Sequence, residues 1–248
     1  MKMSTYVPAL LLTTFIVAGC SDDDDDDDGG DDECPGHICL PDAGADDPIA
    51  RTLAFQDITM PMGIEDPADF PEMPNAAATL TRYVDKIELT LNVTEFTTAS
   101  GQFGLPGHVV SVWWAFFNED HNCVSWDTDQ GQIQCGPQDF SGDPGAAVKT
   151  AFGYAVPGPS GGEIVQADGS WSVSMRTYNE GQNDGMLLGP GLIDARHAEI
   201  HVVLQDHGPA KEGAELEVQR TMNNGGCQDR PDMKCVNFGG ASFPAVEF

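Results

Sequence analysis

Basic residues are scarce in this chain of 248 residues: it has 11 Lys and Arg against 40 Asp and Glu, for a formal net charge of -29. Ten of the acids lie between Asp22 and Glu33; without that segment and Lys2, 30 acids still face 10 bases. Binding to nucleic acid requires clustered Lys and Arg, and the bases here are scattered. The composition therefore excludes a nucleic-acid partner and predicts a body with an acidic surface.

The chain also lacks a run of about 20 apolar residues, the length that crosses a bilayer as a helix. The nearest stretch, residues 7–17, follows Lys2 and is too short, which is typical of a secretory signal. It ends in Val17-Ala18-Gly19-Cys20, which resembles the bacterial lipobox. Residues 1–19 are therefore predicted to be a lipoprotein signal peptide, and Cys20 to carry the lipid that attaches the protein to a membrane.

An acidic segment follows directly, with Ser21, seven consecutive aspartates from Asp22 to Asp28 and further acids up to Glu33. Like charges repel and the segment has no apolar surface to bury, so residues 20–48 are predicted to form a disordered tether. The serine after the cysteine resembles outer-membrane lipoproteins, and the acidic run resembles the export tags of surface-displayed ones; a plain spacer is the alternative. We expect a lipid-anchored protein of the cell envelope, in the outer membrane.

The chain lacks the pair of C-x-x-C motifs that typically binds zinc. Once Cys20 is assigned to lipid, an even number of cysteines remains, which in an exported chain indicates disulfides. The six are Cys34, Cys39, Cys123, Cys135, Cys227 and Cys235. Their spacing in three local groups favours the pairs 34–39, 123–135 and 227–235, with a zinc site as the alternative.

Long segments with the period of an amphipathic helix are absent too, whereas strand patterns recur from residue 49 to the end. Residues 86–96 alternate between apolar and polar, as a half-buried strand does. Residues 109–117 are apolar on both faces, which predicts a central strand covered on both sides. We therefore predict an all-β fold, one disulfide-stabilised antiparallel β-sandwich, Ig-like or similar, over residues 49–248, with few or no helices.

Several local patterns add to this prediction. The pair Asp168-Gly169 is typical of a hairpin turn between two flanking strands, and residues 198–204 alternate as a further strand. Leu216 and Val218 predict another short strand. Residues 61–74 are proline-rich and are expected to be a long loop, after which Asn75 is expected to cap a single helical turn.

Three elements of the body form a distinctive combination. They are Gly107-His108 with Trp113-Trp114 and Phe117-Asn118; Ala198-Glu199 and His201 leading to His207-Gly208-Pro209; and Gly225-Gly226-Cys227. With this G-H-x4-W-W-x2-F-N, A-E-x-H, H-G-P and G-G-C pattern, the chain resembles a group of uncharacterised secreted or lipid-anchored bacterial proteins. The resemblance implies export and a β-sandwich, and it implies no mechanism.

His108, His201 and His207 are candidate metal ligands, because imidazole is the commonest metal ligand and exported β-sandwiches sometimes carry copper or zinc on their strands. By alternation His201 shares a face with Glu199 and points away from the apolar face of its strand. It can meet His108 only if the two strands pair. The alternative is that all three histidines make hydrogen bonds at strand ends and turns.

Other candidate sites are supported by fewer sequence features. Adjacent Trp113 and Trp114 face opposite sides of a strand, so that one ring could stack on a ligand such as a sugar; packing of both in the core is the alternative. Residues 127–131 match only the beginning of a calcium loop. Ser160 lies in a G-x-S-x-G match, but the surrounding prolines and glycines predict an exposed loop rather than a nucleophile elbow.

The sequence thus supports two functional hypotheses. The first is a non-catalytic binding or structural module of the cell envelope, with no required cofactor, no assigned catalytic residue, and a protein or glycan partner. The second is a metal-binding envelope protein that holds copper or zinc on the three histidines, with calcium as a further candidate ion. An envelope hydrolase would require a nucleophile and a base in one pocket.

Overall fold

The computed structural model describes residues 38–39, 47–59, 70–124, 126–127, 133–140, 146–154, 162–179, 186–221 and 235–247. The strands in these ranges are β1 (Ile38–Cys39), β2 (Ile49–Asp57), β3 (Glu72–Arg82), β4 (Lys86–Val93), β5 (His108–Phe117), β6 (Trp126–Asp127), β7 (Ile133–Gln134), β8 (Thr150–Tyr154), β9 (Gly162–Ile164), β10 (Trp171–Tyr178), β11 (Met186–Leu188), β12 (Glu199–Pro209), β13 (Val236–Phe243) and β14 (Val246–Glu247). The helix α1 is Ala214–Thr221, and two single turns of 3-10 helix are Asp120–Asn122 and Pro137–Asp139. The segments predicted to be signal peptide and acidic run, with Cys20, lie outside the described residues.

One large antiparallel sheet contains most of these strands, in the order β10-β4-β3-β2-β13-β12-β5-β8-β11, with β9 also paired to β5. Trp114 of β5 belongs to the same buried cluster as Leu91 of β4 and Val173 of β10, although β5 lies far from β4 and β10 in this order. The sheet therefore curls on itself around that cluster, which we call the main core. The all-β prediction is confirmed, while the division into the two sheets of a sandwich is not confirmed.

The central position of β5 is confirmed. It pairs with β12 along one edge and with β8 and β9 along the other. Its even-numbered residues from Val110 to Phe116 face the main core, whereas Ala115 and Phe117 pack into a second buried cluster with Cys123, Cys135 and Val148. A strand that is covered on both faces must be apolar on both, which is the pattern its sequence shows. We call the face of β5, β12 and β13 opposite the main core the outer face.

The turn at Asp168-Gly169 is present, but the predicted hairpin is wrong. Gly169 has φ +85° and its N–H donates to the carbonyl of Gln166, as in a tight turn. Beyond the turn the two strands diverge, since β9 pairs with β5 and β10 pairs with β4. Because the sheet curls, this connection runs from a strand paired with β5 to β10, at one end of the strand order.

The predicted helical turn after Asn75 is also wrong, because these residues belong to β3. Ala76, Ala78 and Leu80 are buried and alternate with partly exposed residues. This burial outweighs the helix preference of alanine. Within the predicted loop at 61–74, residues 72–74 begin β3 and residues 61–69 lie outside the described residues; Pro74 occupies a β-bulge, where its missing N–H is tolerated.

The strand predicted at Leu216 and Val218 is instead the helix α1. Gln219 is fully buried and donates from Nε2 to the carbonyls of His207 (3.0 Å) and Pro209 (2.9 Å), which attaches the helix to the end of β12. Val218 is 46% exposed, so the alternation of apolar and polar residues there does not mark a buried face of a strand. Within the described part of the chain, no helix is long and apolar enough to cross a membrane.

Candidate functional site

His108 makes an ion-pair contact at the far end of the β5–β12 ladder. Its Nδ1 lies 2.9 Å from Oδ2 of Asp206, a carboxylate that is fully buried. The N–H groups of Gly104 and Gly208 donate to the same carboxylate at 2.7 and 2.6 Å. Burial alone would raise the pKa of Asp206, but these hydrogen bonds and the charge of His108 outweigh it and lower the pKa. His108 therefore acts as a hydrogen-bonding strand-end residue.

His207 belongs to a separate buried network. Its Nε2 lies 2.7 Å from Oγ of Ser111, and its Nδ1 lies 3.3 Å from Sγ of Cys235, which is disulfide-bonded. The indole N–H of Trp113 donates to the same serine oxygen at 3.1 Å. Each ring nitrogen of His207 thus faces a partner within the protein.

The Ser111–His207 pair has the spacing of a nucleophile and its base. Ser111 is 3% exposed and His207 is 1% exposed, so a substrate does not reach the hydroxyl. The other ring nitrogen of His207, Nδ1, faces the disulfide sulfur of Cys235. A catalytic histidine would instead have a carboxylate at this position, which stabilises the imidazolium. This arrangement supports a structural role for the pair and gives no support to a hydrolase.

His201 lies near the opposite end of the same ladder. It stands across from Ala115 on β5, whereas His108 stands across from Pro209, so the two histidines are seven β5 positions apart. At about 3.3 Å per residue this separation is roughly 23 Å. Although the two strands pair, the structure does not bring His201 together with His108 or His207. Among the described residues no group of three His, Cys, Asp or Glu side chains could hold a metal ion.

The two tryptophans offered for ligand stacking are both buried, so that prediction is corrected in favour of core packing. Trp114 is 2% exposed and packs in the main core against Phe116. Trp113 is 3% exposed on the outer face and stacks on Phe152 with ring centroids 4.9 Å apart. Each face of β5 is covered, so neither ring is available to a sugar.

The disulfide Cys123–Cys135 is confirmed, with Cα atoms 5.0 Å apart. Cys235 is disulfide-bonded as well, and the side chains of Cys34, Cys39 and Cys227 lie outside the described residues. Ser160 and most of the candidate calcium loop also lie outside the described residues. The two cysteines pack with Ala115 and Phe117 in the second buried cluster, on the outer face.

An apolar cleft of about 500 Å³ opens on that outer face. Its volume is typical of sites for small organic ligands, which usually range from about 300 to 1,000 Å³. Apolar side chains from several elements line it, among them Ile58, Phe70, Phe117, Phe140, Phe152 and Val203. Most of these side chains are half-buried in a protein that is otherwise rich in surface carboxylates, so the cleft is suited to bind an apolar molecule.

Among the described lining residues, the polar side chains of the cleft are Gln56, His201 and Ser242. His201 and Ser242 stand directly across from each other on β12 and β13. His201 Nε2 makes a hydrogen bond to the buried carboxylate of Glu199, as their shared face predicts. Both oxygens of Glu199 also lie 3.2 Å from the backbone N–H of Cys135. One carboxylate therefore orients the cleft histidine and fixes the disulfide-bonded segment.

Sequence alternation alone could place Glu199 and His201 on one face, but it did not reveal the cleft. The wall residues Ile58, Phe70 and Phe140 lie outside the regular strands and come from distant parts of the chain. They carry no motif, and only the fold brings them together.

The fold and the site together define an all-β protein with an apolar outer-face cleft. Comparison of the chain with family models, curated proteins and solved structures finds no match.

Proposed function

We propose that this protein is a non-catalytic binding module of the cell envelope, anchored by lipid on Cys20, which binds an apolar small molecule in the outer-face cleft. The observation that carries the proposal is the cleft itself, with its wall of aliphatic and aromatic side chains and a single carboxylate-oriented histidine. Sites for small ligands combine these properties, a mostly apolar wall and a few well-placed polar groups.

Binding is tested with the neutral fluorophore N-phenyl-1-naphthylamine, because an anionic dye would be repelled by the acidic protein. The full chain should bind it saturably, with increased emission in the apolar environment. In the variant Ser242→Phe a large ring enters the cleft, and we expect an affinity at least about tenfold lower, since the ring occupies the volume that the probe requires.

The matched control is Ser172→Phe, which adds the same ring at an exposed position of β10. It should bind the probe as the unmodified chain does. Equal affinity in all three proteins would show that the probe binds elsewhere and would overturn the assignment of the cleft.

The anchor has its own test. Mass spectrometry of the mature protein should find a chain that begins at Cys20 and carries acyl groups on that residue. A mature chain that still begins at Met1 with an unmodified Cys20 would contradict the envelope location.

A further inference from the structure

We propose that the ligand of the outer-face cleft is an apolar molecule whose uncharged polar end donates a hydrogen bond to Nδ1 of His201, as the hydroxyl of a long-chain alcohol does. This inference rests on the proposed function and specifies the chemical class that the cleft selects. It follows from the orientation of the imidazole and from the charges around it.

Glu199 determines which nitrogen of His201 is available. Its carboxylate is 2% exposed and, when ionised, can only accept hydrogen bonds, so Nε2 of His201 must be the donor in their contact. A neutral imidazole carries one N–H. With that hydrogen on Nε2, Nδ1 presents a lone pair and acts as an acceptor.

Nδ1 of His201 is available to a ligand in the cleft. Among the described residues it has no hydrogen-bond partner, and the side chain of His201, which lines the cleft, is 14% exposed. The ring of Phe117 packs against the imidazole with centroids 4.8 Å apart, which limits its rotation. The acceptor is therefore held in place before a ligand arrives, and the cost of ordering it on binding is small.

The surroundings disfavour an acidic ligand. No Lys or Arg side chain belongs to the described lining of the cleft, so a fatty carboxylate would find no basic partner there. It would also approach the carboxylate of Glu199 within a protein of net charge -29. An uncharged polar end avoids both penalties.

Ser242 favours a hydroxyl in particular. It stands directly across from His201 on the neighbouring strand, on the same face, where opposing Cβ atoms are about 5 Å apart. A ligand hydroxyl can donate to His201 and accept from the hydroxyl of Ser242, so that its hydrogen-bonding capacity is used on both sides.

The test compares 1-decanol with 1-methoxydecane, an ether of similar size that cannot donate, by displacement of N-phenyl-1-naphthylamine at about pH 8. We expect the alcohol to displace the probe at a concentration roughly three to ten times lower, the usual effect of one hydrogen bond. Decanoate should displace it less well than either.

In His201→Leu the alcohol and the ether should become equivalent, while the exposed control His197→Leu should keep the preference. Equal displacement in the unmodified chain, or strongest displacement by decanoate, would overturn the inference and leave the cleft as a binding site. If no probe is bound at all, the proposed function fails and this inference fails with it. The comparison in the unmodified chain needs no variant, so poor folding of His201→Leu does not prevent the test.

Discussion

The side chain of Arg82 connects the ends of three strands. It is 3% exposed at the end of β3, and its guanidinium donates to the carbonyls of Ala195 (2.7 Å), Ala198 (2.8 Å), Phe243 (3.1 Å) and Pro244 (2.9 Å). The guanidinium carries five N–H donors in one plane and can therefore bond to several carbonyls at once, which a lysine cannot do in the same geometry. The start of β12 and the end of β13, which border the cleft, are positioned in this way.

Burial lowers the pKa of Arg82 to about 10, while the negative charges of Asp120 and Glu199 act in the opposite direction. The side chain thus stays protonated at neutral pH. We expect Arg82→Met to lower the free energy of unfolding by about 2–4 kcal/mol, because four carbonyls, three of them in buried hydrogen bonds, lose their donor. Urea denaturation measures the change, and Arg176→Met, at an exposed position of β10, is the matched control. A loss no larger than in the control would refute the role given to Arg82.

Asp206 predicts a pH dependence of stability. Its pKa is lower in the folded protein than the ordinary value of about 3.9, so its contribution is present above that value and is lost as the pH falls through the folded pKa. Asp206→Asn should cost about 1–3 kcal/mol at pH 7, because its NH2 group must face either the donors of His108 and Gly104 or the N–H of Gly208.

The difference between Asp206→Asn and the unmodified chain should shrink below about pH 4. Urea titrations at a series of pH values measure it, and Asp85→Asn, in an exposed turn, controls for the removal of one negative charge. A difference that stays constant down to acid unfolding would show that the ionised carboxylate is not what stabilises this site.

At the scale of elements, the disulfide Cys123–Cys135 directly precedes one wall of the cleft. Gly136 and Phe140 line the cleft and follow directly after this disulfide. Replacing both cysteines by alanine should lower the free energy of unfolding by about 2–4 kcal/mol, since the unfolded chain regains the freedom of the closed loop. Binding of the naphthylamine probe should weaken as well.

Urea denaturation and probe titration of the same sample measure both effects. Val124→Ala, a change at a position 72% exposed within the same segment, should alter neither. If the double variant kept the stability and the probe affinity of the unmodified chain, the disulfide would have no part in forming the cleft wall.

At the scale of the whole molecule, the net charge of -29 implies self-repulsion in the folded state. Raising sodium chloride from about 0.01 to 1 M shortens the range of this repulsion from about 30 to 3 Å. If screening adds about 1 kcal/mol, the melting temperature should rise by roughly 2–4 °C. Chloride is preferable to sulfate, which would also strengthen apolar burial. A melting temperature that stays constant or falls would show that repulsion does not limit stability.

Elements with a pronounced local pattern could be predicted, and those governed by distant contacts could not. The alternation of β4 and the two apolar faces of β5 are confirmed, because a strand exposes the same pattern wherever its partners lie. The divergence of β9 and β10 after a well-formed turn depends on strands far away in sequence. The helix α1 lies where a strand was predicted, and the strand β3 lies where a helical turn was predicted. Both differences have the same cause, because contacts with residues distant in sequence decided which side chains are buried.

The sequence by itself determined the all-β class, the central strand β5 and the shared face of Glu199 and His201, and it favoured the disulfide Cys123–Cys135. Each follows from spacing along the chain, which the fold does not change. Only the tertiary structure decided that the sheet curls, that His201 stays apart from His108 and His207, and that an apolar cleft forms beside His201. These depend on which strands pair and in which register, and register is set by the summed packing of residues distant in sequence.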